Sequence, residues 1–275
     1  MKGKERLDKL MVDRGLAATR TRAQALIMAG KVRVGDVLVT KAGTAVLLDA
    51  EISVSEGPRW ASRGACKLLG AFEAFPSLSA KGRVCADLGA STGGFTDVLL
   101  DRGARRVYAV DVGYGQLLWR LASDERVVVM DRTNARNLTA ADFDEPVTLA
   151  VCDASFISLR LILPAIDAFL AADGEAVTLI KPQFEAGRER MGGTKGVVRD
   201  PALHTAILRE VMHFIREDTA LHVSGLTWSP IRGPEGNIEF LCHLTRDARG
   251  FAFDAEEIVA AAHRALDKHK EGKEL

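Results

Sequence analysis

Between residues 83 and 181 the chain carries five short apolar runs, and each closes on a charged side chain. The runs are Arg83-Val84-Cys85-Ala86-Asp87, Val107-Tyr108-Ala109-Val110-Asp111, Val127-Val128-Val129-Met130-Asp131, residues 147–152 ahead of Asp153, and residues 176–180 ahead of Lys181. Runs this short, with no polar alternation, are strands covered on both faces. The stretches between them, such as residues 95–102 and 116–121, pattern as helices. This alternation predicts an α/β fold: a doubly wound, mostly parallel sheet. Ligands in such sheets bind beyond the carboxyl ends of the strands, where these charges stand.

Two of the strand-end charges have opposite signs, Asp153 and Lys181. Glu239 sits inside a further run, Ile238-Glu239-Phe240-Leu241-Cys242, and Lys67 lies upstream of the sheet. A buried charge costs several kcal/mol unless it is paired. Lys67, Asp153, Lys181 and Glu239 are therefore expected to converge on one polar cleft. Taken alone, unrelated strand-end charges explain the pattern equally well.

At 275 residues the chain has room for one or two domains. Its 47% hydrophobic and 27% charged content is that of a globular protein. The formal net charge is zero but unevenly spread. Residues 1–41 hold ten Lys/Arg against four Asp/Glu, so the head carries +6 and the rest −6. A basic head on an acidic body points to a polyanionic partner. The four cysteines show no C-x-x-C spacing, so no metal is expected, and three of them read as buried thiols. No apolar run reaches the ~18 residues of a membrane span, and no secretory signal opens the chain, so a cytoplasmic protein without a membrane partner is expected.

The head reads as helix, turn, helix and short strands. Leu7, Leu10 and Met11 share one helical face. Thr19 is placed to cap a second helix with Ala23, Leu26 and Ile27 inward, and Gly30 ends it. Val32-Arg33-Val34 and Val37-Leu38-Val39 flank the hairpin dipeptide Gly35-Asp36. The junction is read at residues 56–64, where Gly57-Pro58 breaks the preceding strand and Trp60 can anchor on either side. Domain bounds of 1–57, a linker at 58–64 and a main domain at 65–275 follow. A tail helix is expected over residues 255–270, with Ile258, Ala262 and Leu266 inward.

The first sheet strand runs into Asp87-Leu88-Gly89-Ala90-Ser91-Thr92-Gly93-Gly94-Phe95. Glycines here let a backbone approach a ligand closely. Gly89-x-Ser91-x-Gly93 also fits a hydrolase nucleophile elbow. Against that, the strand comes first in its domain, and the late His243 has no supporting signature. A dinucleotide loop is excluded because G-x-G-x-x-G is absent. The remaining reading is an S-adenosyl-L-methionine loop, with cofactor contacts from Asp87 and Gly89–Phe95. Asp111 lies 22 residues past Gly89, where a carboxylate can hold ribose hydroxyls, and Asp131 is placed to reach the adenine.

Two resemblances add to this. The head resembles the S4 RNA-binding domain on Arg6-Leu7-Asp8, Leu16-Ala17, Thr19-Arg20, Ala23, Leu26-Ile27, Gly30 and Val32–Asp36. That resemblance implies an RNA-facing basic surface at Lys4, Arg6, Arg20, Arg22, Lys31 and Arg33, holding phosphates and recognising shape. From about Arg6 to Leu244 the chain resembles the TlyA-type (hemolysin-A-like) ribosomal RNA 2′-O-ribose methyltransferases, which join an S4 domain to an FtsJ/RrmJ-like domain. The motifs are Ser62–Leu68, Gly89–Asp97, Asp153–Leu159, Leu179–Glu185, Gly196–Asp200 and Gly233–Asn237.

The resemblance implies a catalytic Lys-Asp-Lys-Glu tetrad at Lys67, Asp153, Lys181 and Glu239, S-adenosyl-L-methionine as cofactor, no metal, and cytidines of 16S or 23S ribosomal RNA, or of ribosomal subunits, as substrate. A ribose hydroxyl must be oriented and deprotonated. Lys181 is expected as the base, Lys67 as the neighbouring cation, and Asp153 and Glu239 as orienting anions. Phe156 is read equally as a stacking platform for a base and as core packing. Arg63, Arg132 and Arg136 flank the cleft and are assigned to phosphates, though each singly also reads as a surface arginine. The glycine-rich stretch at residues 191–196 reads as a lid or as a passive loop. Two rival functions remain: a membrane-lytic hemolysin, and an RNA-binding assembly factor with no catalysis.

Overall fold

The computed structural model describes residues 3–55, 59–193, 195–247 and 251–271. The expected break at Gly57-Pro58 lies outside the described residues. The chain divides into two compact units, Met1–Arg59 and Trp60–Leu275.

The first unit runs β1 (Lys4–Arg6), α1 (Leu7–Asp13), α2 (Arg20–Met28), β2 (Val32–Val34), β3 (Val37–Val39), β4 (Ala45–Leu47) and β5 (Ile52–Val54). Leu7, Leu10 and Met11 turn inward from α1 onto Ala23 and Ile27 of α2, with Val32 and Val46. Thr19 Oγ1 accepts from the Arg22 amide at 3.2 Å, capping α2 as its position predicts. Val34 faces Val37 across the β2–β3 hairpin, and Gly35 takes the left-handed backbone (φ 55°) its turn requires.

One polar residue shares this core. Asp8 is fully buried, and its carboxylate accepts from Arg6 Nε (3.1 Å) and Nη2 (3.0 Å), Arg20 Nε (3.0 Å) and Gln24 Nε2 (2.8 Å). These bonds, that from Arg6 foremost, hold its carboxyl far below the usual range. Arg6 and Arg20 remain half-exposed, Lys4, Arg22 and Arg33 are exposed, and Lys31 is half-buried.

The second unit runs α3 (Ala65–Ala74), β6 (Val84–Leu88), α4 (Gly94–Asp101), β7 (Arg106–Val110), α5 (Trp119–Ala122), β8 (Val127–Met130), β9 (Val147–Cys152), α6 (Leu163–Phe169), β10 (Leu170–Ile180), α7 (Pro182–Glu185), α8 (Gly187–Arg190), α9 (Pro201–Asp218), β11 (His222–Trp228), β12 (Phe240–Thr245) and α10 (Ala255–Glu271). One seven-stranded sheet is ordered β11-β12-β10-β9-β6-β7-β8. From β10 to β8 all pairings are parallel, and β12 is antiparallel to both its neighbours. Successive residues of β6 feed opposite faces. Val84, Ala86 and Leu88 join the core that includes α6, α9 and α10, and Cys85 joins the core that includes α3 and α4. Trp60 packs against that second core. Burial pushes the thiols of Cys85 and Cys152 up to about 12.

Three expectations need correction. First, β6 continues through Leu88, so Asp87 lies within the strand instead of ending it. Second, residues 116–118 are not helical, and only Trp119–Ala122 form a turn of helix. The carboxylates of Asp111 and Asp131 capture the amides of Gly113 (2.7 Å) and Gly115 (2.8 Å), local bonds that compete with a helix. The result is a loop with Val112, Tyr114, Leu118 and Trp119 exposed. Third, Glu239 precedes β12 by one residue. The tail helix forms where expected, but its buried face is Ala255, Val259, Ala262 and Leu266, with Ile258 at the margin.

His204 of α9 and His263 of α10 pair at 3.0 Å (Nδ1 to Nε2). Burial pulls both below the ordinary histidine value, His204 to about 4. The folded state thus resists protons that the unfolded chain binds from about pH 6.5 downward. Stability should be full above pH 6.5 and fall by up to about 3 kcal/mol as pH drops toward 4. Thermal midpoints of wild type and His204→Gln across pH 4–8 test this. The variant should show a flatter acid limb, and parallel curves would remove the pair as its cause.

Candidate active site

From β6 the chain moves outward to β7 and β8, then returns to the other side of β6 for β9 and β10. The order therefore reverses between β6 and β9, and a crevice opens at their carboxyl ends. Loop 89–93 leaves β6 there, beside Asp153 at the end of β9. Gly89 (φ 84°) is pressed against the neighbouring loop: a Cβ on it would stand 3.0 Å from the Ala154 Cα. Gly93 (φ 96°) carries Leu117 and Leu121 where its side chain would be. Ser91 adopts φ 48°, costly for a residue with a Cβ, and its amide donates to Asp111 Oδ2 at 2.8 Å. Asp111 thus ties the loop to the end of β7.

A cavity of about 560 Å³ fills the crevice, within the range of small-molecule sites. Gly89, Ala90, Ser91, Thr92, Gly94 and Phe95 line it, with Arg63, Lys67, Asp153, Phe156, Lys181 and Glu239. Gly93, Asp87, Asp111 and Asp131 do not. Asp87 is fully buried behind the loop, its Oδ2 accepting from the amide (2.8 Å) and hydroxyl (2.7 Å) of Thr96. A direct ligand contact expected of Asp87 is therefore replaced by a bond within the protein. Burial pushes its carboxyl up to about 7.

The four charges meet, Asp153 and Lys181 from strand ends, Lys67 from α3 and Glu239 from the entry to β12. Lys67 Nζ on α3 lies 3.1 Å from both carboxylate oxygens of Asp153 and 2.7 Å from Glu239 Oε2. Lys181 Nζ lies 2.7 Å from Asp153 Oδ1. Lys67, Lys181 and Glu239 are almost wholly buried, and Asp153 is the partly open corner. Two ammonium and two carboxylate groups make a neutral set, which is what allows burial. Burial alone would pull Lys67 down, but the charges of Asp153 and Glu239 outweigh it and hold it above the usual lysine value. Glu239 belongs to this edge because β12 is antiparallel: Ile180 pairs with Phe240, so the residue entering β12 stands beside the residue leaving β10.

Phe156 is 91% exposed at φ 64°, lines the cavity, and has its ring centroid 5.4 Å from that of Phe184. Core packing, one of its two readings, is excluded. Its ring therefore stands open to solvent at the cavity rim, on a left-handed backbone that costs energy for a residue with a Cβ. Arg63 is exposed on the rim. Arg132 (φ 54°) covers the Tyr114 ring at 4.4 Å, and exposed Arg136 bonds Asn134; neither lines the cavity.

Two functional positions went unseen in the sequence. Ser155 Oγ accepts from Lys181 Nζ at 2.9 Å. Asn237, fully buried, accepts from the Val198 amide and donates to the Gly196 carbonyl, both at 2.9 Å, holding the end of the glycine-rich stretch at the cavity. Their only sequence signal was membership in motifs already noted. Among the described residues no group of three or more His, Cys, Asp or Glu could hold a metal, and no helix is long and apolar enough to cross a membrane.

Residues 60–246 match the FtsJ-like methyltransferase family, and residues 5–52 match the S4 domain. The chain is 47% identical over 275 residues to the candidate rRNA methyltransferase YqxC of Bacillus subtilis, covering 97% of each chain. It is 46% identical over 272 residues to the 16S/23S rRNA (cytidine-2′-O)-methyltransferase TlyA of Mycobacterium tuberculosis, covering 98% of this chain and 99% of that one. Among solved structures, a candidate hemolysin from Streptococcus thermophilus superposes with a TM-score of 0.74 at 42% identity, over 98% of this chain and 100% of that one.

Proposed function

The chain belongs to the FtsJ-like methyltransferase family and carries an S4 domain ahead of that fold, and from this premise we propose that it methylates ribose 2′-hydroxyls of ribosomal RNA, using S-adenosyl-L-methionine, in the cytoplasm. The observation that carries the proposal is the neutral Lys67–Asp153–Lys181–Glu239 cluster beside a glycine loop at the sheet's switch point. Cytidine as the target base follows the activity named for the M. tuberculosis relative.

The loop fits the cofactor. Gly89, Ala90, Ser91, Thr92, Gly94 and Phe95 line the cavity, and its volume suits a nucleoside-sized ligand. Gly89–Phe95 would hold it, with Asp111 and Asp131 at the ends of the next two strands. When bound, it supplies an activated sulfonium methyl group. The protein's own task is to place a hydroxyl and take its proton. Lys181 takes the proton, and Asp153 fixes both lysines from one carboxylate. Lys67, held charged by Asp153 and Glu239, neutralises the Asp153 carboxylate that Lys181 shares. Phe156 offers its exposed ring to a base drawn out of its helix, and Arg63, Arg132 and Arg136 meet phosphates. In the first unit Lys4, Arg22, Lys31 and Arg33 face RNA. Arg6 and Arg20 do so with the charge not spent on Asp8.

The test of the function is transfer of labelled methyl from the cofactor to free 16S and 23S RNA and to both ribosomal subunits, followed by mapping of ribose methylation. No label in any substrate would overturn the proposal. Asp111→Ala should weaken cofactor binding roughly 10- to 150-fold, through loss of a charge-assisted bond to ribose of about 1.5–3 kcal/mol. Calorimetric titration showing unchanged affinity would remove Asp111 from the site.

A further inference from the structure

Three oxygens surround Lys181 Nζ: Asp153 Oδ1 at 2.7 Å, the Asp153 carbonyl at 3.1 Å and Ser155 Oγ at 2.9 Å. The ring of Phe184, with its centroid 6.0 Å away, lies near the same nitrogen. An ammonium group has three N–H bonds; here two are received by the Asp153 carbonyl and Ser155 Oγ, and Asp153 Oδ1 stands beside them as the ion-pair partner. A lysine ready to act as base has only two N–H bonds and one lone pair. Of the three oxygens, a carbonyl and a carboxylate can only accept. Ser155 alone carries a hydrogen that can be turned toward the lone pair. Within this set, a lone pair on Lys181 Nζ can be met by a hydrogen only from the Ser155 hydroxyl.

Ser155 also lines the cavity, beside Phe156. It is exposed, whereas Lys181, which lines the same cavity, is almost wholly buried, so the serine hydroxyl is the more open of the two groups. We propose that Ser155 is a catalytic residue that relays the proton of the ribose hydroxyl to Lys181. The step balances. The ribose oxygen bonds to the methyl carbon as the carbon–sulfur bond breaks, its electron pair passing to sulfur. The ribose proton goes to Ser155 Oγ, and the former Ser155 proton goes to Lys181 Nζ. The nitrogen is then an ammonium again, donating to the Asp153 carbonyl and to Ser155 Oγ as in the structure. The serine thus fits both protonation states of the lysine by turning its hydroxyl, with no movement of heavy atoms.

This inference rests on the reading of Lys181 as the base. Its test compares single-turnover methyl transfer to ribosomal substrate, in H₂O–D₂O mixtures, for wild type, Ser155→Ala, Ser155→Thr and Lys181→Ala. Ser155→Ala should lower kcat by about 10- to 100-fold, a loss in the lower range of acid–base contributions, with KM for cofactor and RNA within twofold. Ser155→Thr should recover most of the rate, because it keeps the hydroxyl. Wild type should show a curved proton inventory, from two protons in flight, and Ser155→Ala a linear one. If Lys181→Ala is inactive while Ser155→Ala keeps the wild-type rate and inventory, the relay is wrong and the base assignment stands. If Lys181→Ala is itself active, the base assignment fails first. A slow Ser155→Ala with an unchanged inventory would also overturn the relay, leaving the serine a positioning role only.

Discussion

Lys181→Ala should abolish methyl transfer while leaving cofactor and RNA affinities within a few-fold of wild type. The side chain touches Asp153 and Ser155 at the base of the cavity and reaches neither the glycine loop nor the exposed arginines. Its removal does not strand a buried carboxylate, because Asp153 keeps both its contacts to Lys67 at 3.1 Å. The fold should therefore survive. Loss of a general base typically costs ~10²–10⁴ in rate, and a misplaced hydroxyl adds to that. Lys181→Arg should fail as well, since a guanidinium does not give up its proton near neutral pH. Single-turnover transfer at saturating enzyme, with binding measured in parallel, checks both variants. A near-wild-type rate for Lys181→Ala would place the base elsewhere.

Asp8→Asn should loosen the first unit while sparing the second. Asp8 accepts four hydrogen bonds from Arg6, Arg20 and Gln24 inside a core of about ten side chains. Hydrogen bonds to a charged group are worth ~1.5–3 kcal/mol each at best. Here both arginines are half in solvent, so a net loss of about 2 kcal/mol is expected. For a unit of under 60 residues that is a shift of roughly 8–16 °C. Hydrogen exchange on the full chain should show faster exchange confined to residues 3–55, with methyl transfer to the ribosome falling and cofactor affinity unchanged. Uniform exchange across both units would contradict it. The same contacts decide how RNA binding is probed. Reversing the charge of Arg6 and Arg20 would put two carboxylates against Asp8, so Arg22 and Arg33 are the cleaner probes of the basic face.

The sheet was legible because every parallel strand announced itself as an apolar run, and its end as a charge. Asp153 and Lys181 could be placed on one edge from that alone. Glu239 was found, but its position was misjudged. A charge at the start of an antiparallel strand meets the same edge as charges at the ends of parallel ones, and strand direction is not written in a short apolar run. Asp87 misled for the opposite reason: one further strand residue, Leu88, turns its carboxylate away from the cavity. The helix expected at residues 116–121 starts only at Trp119, because the carboxylates of Asp111 and Asp131 hold the amides of Gly113 and Gly115 just ahead of it in a loop. Asp8 was invisible as a core residue because it lies between Leu7 and Leu10, on a stripe read only for its apolar members. Ser155 and Asn237 owe their importance to partners 26 and about 40 residues away, a distance no local pattern spans.

The antiparallel entry of Glu239 ties competence to completeness. Among the described residues β12 is the last strand, yet it inserts between β10 and β11, and its entry into the sheet delivers Glu239 to Lys67. A chain that stops short of Glu239 holds three of the four charges and leaves Lys67 with one counter-ion instead of two. Such a chain cannot close its sheet and cannot balance its site.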